Sequence, residues 1–167
     1  MTPTTLVLLM LAPVLVWRVY LRVKGMMVSQ RSILSRHYTG VLVFFSMVLV
    51  AASETLKKPA ILTVLLASTA VGIGWGVYGL RKTRFNNQTE FYTPPANLGM
   101  VIAMLFFARV MQIGFDLYMN NGSSPTPAFT DSPVTMAAVG LLGGYFGTYS
   151  AGLVRWRHAL RRQILRG

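Results

Sequence analysis

The sequence predicts an all-α protein, a polytopic membrane bundle with about five transmembrane helices in a single domain. Its composition supports this fold class, because 53% of the 167 residues are hydrophobic and only 12% are charged, about half the share in a soluble domain. The mean hydropathy is +0.51. The apolar residues also form five runs, each near the ~20 residues that cross a bilayer as a helix. An ordinary soluble globule and a disordered chain are therefore excluded.

The first three predicted spans cover residues 4–23, 38–53 and 60–80. In the first span the basic residues follow the apolar run instead of preceding it, so we expect a retained anchor and not a cleaved signal peptide. Pro13 is tolerated there as a kink. The second span is short but uncharged, and the third holds 21 residues without a charge.

The last two predicted spans cover residues 96–118 and 133–154. A short extended segment, 90–93, and two prolines precede the fourth span, and proline is favourable in the first turn of a helix. A basic tail, 155–167, follows the fifth span, and an amphipathic helix along the membrane surface is one conformation open to it.

Lysine and arginine are concentrated in alternate loops of this arrangement. The segments 18–36, 81–84 and 155–167 hold thirteen of them, whereas the loop after the second span holds two and the loop after the fourth holds none. Positive residues favour the cytoplasmic side, so five spans place the N-terminus outside and the C-terminus in the cytoplasm. We therefore expect a multi-pass protein of the bacterial inner (cytoplasmic) membrane.

The same charge pattern predicts the partners. The formal net charge is +12, and positive-inside topology accounts for it, so we expect the lipid bilayer and anionic headgroups at the cytoplasmic face as partners and no nucleic acid. The chain has no cysteine. Disulfides, thiolate metal sites and thiol redox relays are therefore excluded.

Small residues are spaced for close helix packing in two of the predicted spans. They are Gly72 and Gly76 in the third span, and Gly140, Gly143, Gly144 and Gly147 in the fifth. Glycines four residues apart let helix backbones approach closely. Packing between helices of one chain, an interface with a second copy or another membrane protein, and a glycine-lined substrate path all remain open.

Arg109 is the charged residue that lies well inside a predicted span, about 13 residues from its cytoplasmic start. An intramembrane arginine is costly unless it is paired or reaches the interface. Gln112 and Asp116 follow on the same helical face, and Glu54 and Asp116 are candidate counter-ions. A structural ion pair or a snorkelling arginine, and an anion or substrate contact, are the two interpretations.

We expect no catalytic residues, no metal and no cofactor. His37 and His158 lie at cytoplasmic ends of predicted helices, where a bis-histidine haem or metal pair is conceivable, but two histidines without carboxylate or cysteine companions make a poor site. Ser, His and Asp do not occur in a catalytic spacing. No phosphate-binding glycine motif is present outside an apolar span. The sequence thus predicts that the protein is not an enzyme.

Several segments resemble the CcdC-like family of small bacterial integral membrane proteins of largely unknown function. The similar segments are Arg81 to Arg84 with Phe85, Phe91-Tyr92, Ala108-Arg109-Val110 and the Gly-Leu-Val-Arg-Trp-Arg exit at 152–157, within residues 60–160. The resemblance implies a loose link to cytochrome c maturation and brings no set of catalytic residues. Arg81, Arg84, Tyr92 and Arg109 match it and become candidate functional positions.

Two functions follow as hypotheses. The first is an accessory or scaffold protein that interacts with other membrane components through its glycine faces and its basic cytoplasmic surface. The second is a small oligomeric transporter or channel with Arg109 in an anion path. An odd number of spans argues against transport by two equal inverted halves.

Overall fold

A computed structural model describes residues 30–86, 91–119 and 131–164, which contain four long helices and three short strands. The predicted first span, residues 4–23, lies outside the described residues. The helices are α1 (Leu34–Thr55), α2 (Pro59–Lys82), α3 (Ala96–Met119) and α4 (Pro133–Ile164). All four are long and apolar enough to cross a membrane. The chain is therefore mostly helical, as expected.

Each described helix contains one predicted span and extends beyond it. The span at 38–53 lies within α1, which begins four residues earlier, and the span at 133–154 lies within α4, which continues to Ile164. Hydropathy marks only the uncharged part of a helix, whereas the backbone hydrogen bonds continue into the polar flanks. The 32 residues of α4 reach about 48 Å, well beyond a ~30 Å hydrocarbon core.

The strands form one small antiparallel sheet, which a purely α-helical prediction did not include. They are β1 (Gln30–Arg31), β2 (Arg84–Phe85) and β3 (Phe91–Thr93), in the order β1-β3-β2. Gln30 lies opposite Tyr92, and Phe85 pairs with Tyr92 from the other side. Only the segment around β3 was predicted to be extended. The two outer strands are too short for a period-two pattern to reveal them.

The helix α4 lies at the centre of the described bundle, because it contacts each of the other three helices and packs most extensively on α2. At the α2 contact a Cβ on Gly72 would come within 2.5 Å of the Leu141 carbonyl oxygen, and a Cβ on Gly76 within 2.9 Å of the Tyr145 carbonyl oxygen. Gly144 lies against the backbone of α2 in the same contact. The two glycine faces therefore meet each other.

The helices α1 and α3 pack on other faces of α4. A Cβ on Gly143 would contact Val48 and the Phe44 carbonyl of α1. On the α3 side, Ile102 is almost fully buried against Leu142 and Tyr145 of α4. The outward-facing side chains are apolar, which suits contact with lipid.

The two ends of the bundle differ in structure and in charge. All three strands lie at the end where α1 and α3 begin and α2 and α4 finish, which is called the sheet end below. Eight described basic side chains lie at the sheet end: Arg36, Arg81, Lys82, Arg84, Arg155, Arg157, Arg161 and Arg162. The three acidic side chains of the described segments, Glu54, Asp116 and Asp131, lie at the opposite end.

Candidate functional site

Arg109 joins α3 to the first turn of α4. Its Nε donates a hydrogen bond to Oγ1 of Thr135 at 3.0 Å, and its Nη2 donates to Oγ of Ser132 at 2.8 Å. Its Nη1 donates to Oε1 of Gln112 at 2.8 Å. The prediction placed Gln112 on the face of Arg109, and the i, i+3 spacing accounts for that contact. The partners on α4 could not be read from the sequence.

The acceptors of Arg109 are all uncharged. Glu54 and Asp116 were the candidate counter-ions, but neither takes part in the three guanidinium hydrogen bonds. Within the described segments the salt bridge at this end joins Lys58 to Asp131, next to Ser132. The positive charge of Arg109 is thus hydrogen-bonded but not neutralised by these contacts, and a guanidinium has five N–H donors in all.

Ser132 has two roles at this site. Its carbonyl oxygen accepts the Met136 N–H at 3.0 Å, which begins the hydrogen bonding of α4, and its hydroxyl oxygen accepts the Thr135 N–H at 3.5 Å. A serine in this position caps a helix N-terminus. The same hydroxyl accepts the hydrogen bond from Arg109. Ser132 and Thr135 are both buried, so the start of α4 and the position of Arg109 depend on one another.

A second cluster of side chains lies at the sheet end and surrounds Tyr92, one of the residues predicted as a candidate. This tyrosine is buried in an aromatic core with Tyr149 and Leu153, and Phe85 and Trp156 pack against it. The Trp156 ring lies 4.7 Å from the Phe85 ring and 6.5 Å from the Tyr92 ring, between centroids. Burial raises the pKa of the Tyr92 phenol above its ordinary value, and the nearby Arg36 acts in the opposite sense. The phenol therefore remains neutral and serves packing.

Hydroxyl groups tie the ends of the helices to this core. Oγ1 of Thr83 lies 2.9 Å from the Tyr149 hydroxyl and also donates to the Gly79 carbonyl at 2.9 Å. Oγ of Ser32 lies 2.9 Å from Nε2 of His37, and both residues are buried. Ser32 and His37 have the separation of a nucleophile and a base, but both side chains are closed off from solvent in this structure.

The two histidines occupy separate environments. His37 is buried, and its ring centroid lies 5.7 Å from that of Tyr92 in an edge-to-face arrangement. His158 is exposed, and its Nε2 lies 2.7 Å from the Tyr38 hydroxyl. Each Nε2 is therefore already in a hydrogen bond. In the parts of the chain that the structure describes, no three histidine, aspartate or glutamate side chains are grouped to hold a metal ion.

The remaining candidates are distributed between the two ends. Arg81 and Arg84 are exposed at the sheet end, and the strand that contains Arg84 pairs with the strand that contains Tyr92. Arg109 lies thirteen residues after the start of α3, about 20 Å along the helix axis. Arg81, Arg84 and Tyr92 thus share the sheet end. Arg109, Gln112 and Asp116 lie together in the second half of α3, away from that end.

Sequence reasoning did not single out the aromatic stripe of α4. Tyr145, Tyr149 and Trp156 recur at spacings of four and seven residues on one helical face, and this periodicity could have indicated the buried aromatic core. The Thr83 partner could not have been identified in the same way, because it lies 66 residues away in the chain.

At the sheet end the last turns of α4 also form a basic hollow. Arg155, His158 and Arg162 line an open cavity of about 440 Å³. The hydrogen bond between the Tyr38 hydroxyl and Nε2 of His158 orients this imidazole beside it. Two guanidinium groups and an imidazole in this position can bind an anion such as a phosphate group.

In comparisons with known proteins, no family model matches this chain, and neither a curated protein nor a solved structure is significantly similar to it.

Proposed function

We propose that this chain is a non-enzymatic accessory or scaffold protein of the bacterial inner membrane. In this proposal the sheet end faces the cytoplasm and binds anionic headgroups and an acidic surface of another membrane component. The CcdC-like resemblance, with its implied link to cytochrome c maturation, is part of the same proposal.

The observation that carries the proposal is the separation of charge along the bundle. The described basic side chains of the last turns of α4 extend beyond the apolar part of the helix, and no acidic side chain of the described segments lies at that end. A surface of one sign attracts partners of the opposite sign and raises their rate of encounter. The hollow at Arg155, His158 and Arg162 supplies a defined anion-binding position on this surface.

The positions of the glycines support an accessory role in which the partner binds the basic end. They do not support a role in which the partner binds the glycine faces. Gly72, Gly76, Gly140 and Gly144 lie against neighbouring residues of the same chain. An external partner therefore meets the basic end or the lipid-facing apolar side chains. A homo-oligomer formed through the glycine stripes would require the α2–α4 contact to open.

The test is affinity purification from native membranes in mild detergent, with mass spectrometry of co-purifying proteins and lipids. We expect a stoichiometric partner or retained anionic lipid with the parent protein, and its loss when Arg155 and Arg162 are both replaced by Gln. The matched control is Lys57→Gln, which removes an exposed positive charge at the opposite end and should retain the partner.

The second candidate function is a small oligomeric transporter or channel with Arg109 in an anion path. Its support is that the guanidinium hydrogen bonds go to uncharged oxygens, so its positive charge is available to an anion. Recovery of the parent protein alone, as one defined oligomer, would favour this function over the scaffold. Anion flux into proteoliposomes that is abolished by Arg109→Gln would then establish it.

A further inference from the structure

An apolar groove runs between α1 and α3 across the surface of α4. Its volume is about 400 Å³, and it is lined by Val43, Met47 and Val50 of α1, Phe106 of α3 and Val139 of α4. Val50 is 61% exposed in it. An unfilled groove would leave these side chains without contacts on one side, which forfeits dispersion energy. In a bilayer it is therefore occupied, either by lipid or by a helix.

The register of the sheet places the start of β1 close to α3, one of the helices that border this groove. Gln30 lies opposite Tyr92 and Arg31 lies opposite Phe91, in an antiparallel pair. Because β3 runs toward α3 and the pairing is antiparallel, β1 begins nearer the end of β3 that leads into α3. The start of β1 thus lies at the end of the bundle where α1 and α3 begin, and these two helices border the groove along their length toward the other end.

Length and charge agree with this position. Six residues separate Val23, the end of the predicted first span, from Gln30, so the two can be at most about 24 Å apart. The span itself has 20 residues and would be about 30 Å long as a helix, which matches the bundle. Arg22 and Lys24 mark its basic end, and that end would lie with the other basic residues at the sheet end.

We propose that the predicted first span, residues 4–23, packs into the groove between α1 and α3 as a fifth helix. It runs antiparallel to α1 and α3 and covers Val43, Val50 and Phe106. The groove is then an internal surface of one chain and is unavailable to a partner protein. This inference is independent of the proposed function.

The absence of cysteine in the chain makes cysteine cross-linking the direct test. The pairs are Leu15→Cys with Val43→Cys and Leu8→Cys with Val50→Cys. Leu15 and Leu8 lie eight and fifteen residues from Val23, and Val43 and Val50 lie nine and sixteen residues from the start of α1. In the proposed packing each pair would therefore lie at a similar depth. Neighbouring positions in residues 6–16 are scanned in the same way to allow for helix rotation.

The matched controls use the same first-span cysteines with partners on α2. Ile73 and Leu66 lie nine and sixteen residues from the end of α2 at the sheet end, so they match Val43 and Val50 in depth. Both are exposed apolar side chains outside the groove. Membranes that contain each variant are treated with an oxidant, and the protein is then denatured. A polyethylene-glycol maleimide is added, which increases the mass of the protein at each thiol that is still free.

We expect the groove pairs to form a disulfide within one chain, so that the protein stays monomeric and most of its maleimide labelling is lost. The α2 pairs and all single-cysteine variants should keep their labelling. Cross-linked dimers from the groove pairs would mean that a second copy fills the groove, and would overturn the proposal. Equal labelling of groove and control pairs across the scan would mean that lipid fills it, and would overturn it as well.

Discussion

Arg109 shows how a single charged residue is accommodated inside an apolar bundle. Its three hydrogen bonds go to Ser132, Thr135 and Gln112, and two of these acceptors belong to the first turn of α4. A cation near a helix N-terminus opposes the helix dipole. The carboxylate of Asp131, which immediately precedes this turn and pairs with Lys58, reduces that cost. The arginine thus connects two helices whose loop, residues 120–130, lies outside the described residues.

We expect Arg109→Ala to lower the stability of the protein in detergent by about 2 kcal/mol, taking about 0.6 kcal/mol for each of three hydrogen bonds in a membrane protein. Arg109→Lys should restore only part of this loss, because an ammonium group cannot reproduce the planar donor arrangement of a guanidinium. Thermal unfolding in micelles measures both. Lys57→Ala is the control at the same end and should change little. Equal stability of the parent and both Arg109 variants would contradict this role.

At the scale of elements, the contact between α2 and α4 depends on glycine at particular positions and not on glycine content. A Cβ on Gly72 would press on the Leu141 carbonyl, whereas Gly74, two residues further along α2, has nothing within 4 Å of its Cβ position. Backbones that approach this closely gain dispersion contacts along the whole helix pair. One side of α2 therefore tolerates a side chain and the other does not.

We expect Gly72→Ala to destabilise the protein by about 1–3 kcal/mol, the usual cost of overpacking a close contact. Gly74→Ala makes the same chemical change on the same helix and should leave stability within about 1 kcal/mol of the parent, or raise it through helix propensity. Thermal unfolding of the two variants and the parent protein in the same detergent measures this difference in stability. A larger loss for Gly74→Ala than for Gly72→Ala would show that α2 packs through its other face.

At the scale of the whole molecule, the distribution of charge predicts how the bundle lies in the membrane. Eight of the eleven described basic side chains lie at the sheet end, and the three described acidic ones lie at the opposite end with Lys57 and Lys58. Moving the basic end across the bilayer would carry these charges through hydrocarbon, at a cost for each. The sheet, the aromatic core around Tyr92 and the basic hollow should consequently share the cytoplasmic side.

Reporter fusions or single-cysteine labelling test this orientation and the number of spans together. A reporter after Gly167 and a cysteine at Met26 should both report the cytoplasm, and a reporter near Ser124 should report the outside. A cysteine at Thr2 should be labelled from the outside if residues 4–23 span the membrane. The reverse pattern at Gly167 and Ser124 would overturn the orientation, and cytoplasmic labelling at Thr2 would reduce the span count to four.

Hydropathy and the length of apolar runs were sufficient to predict a mostly helical fold and the locations of α1 to α4. These properties depend on each residue's own transfer free energy from water, which adds along the chain without regard to neighbours in space. The resemblance to the CcdC-like family and the accessory function stay predictions, since no matching protein was found.

Other features were decided only by the tertiary structure. These include the meeting of Gly72 with the backbone of α4, the choice of Ser132 and Thr135 as acceptors for Arg109, and the pairing of β1 and β2 on β3. Each joins residues far apart in the chain. Glycine spacing predicts close packing but not the partner helix, because every smooth face can fit several others. Packing settles that choice by excluding the arrangements that leave voids or buried polar groups without hydrogen-bond partners.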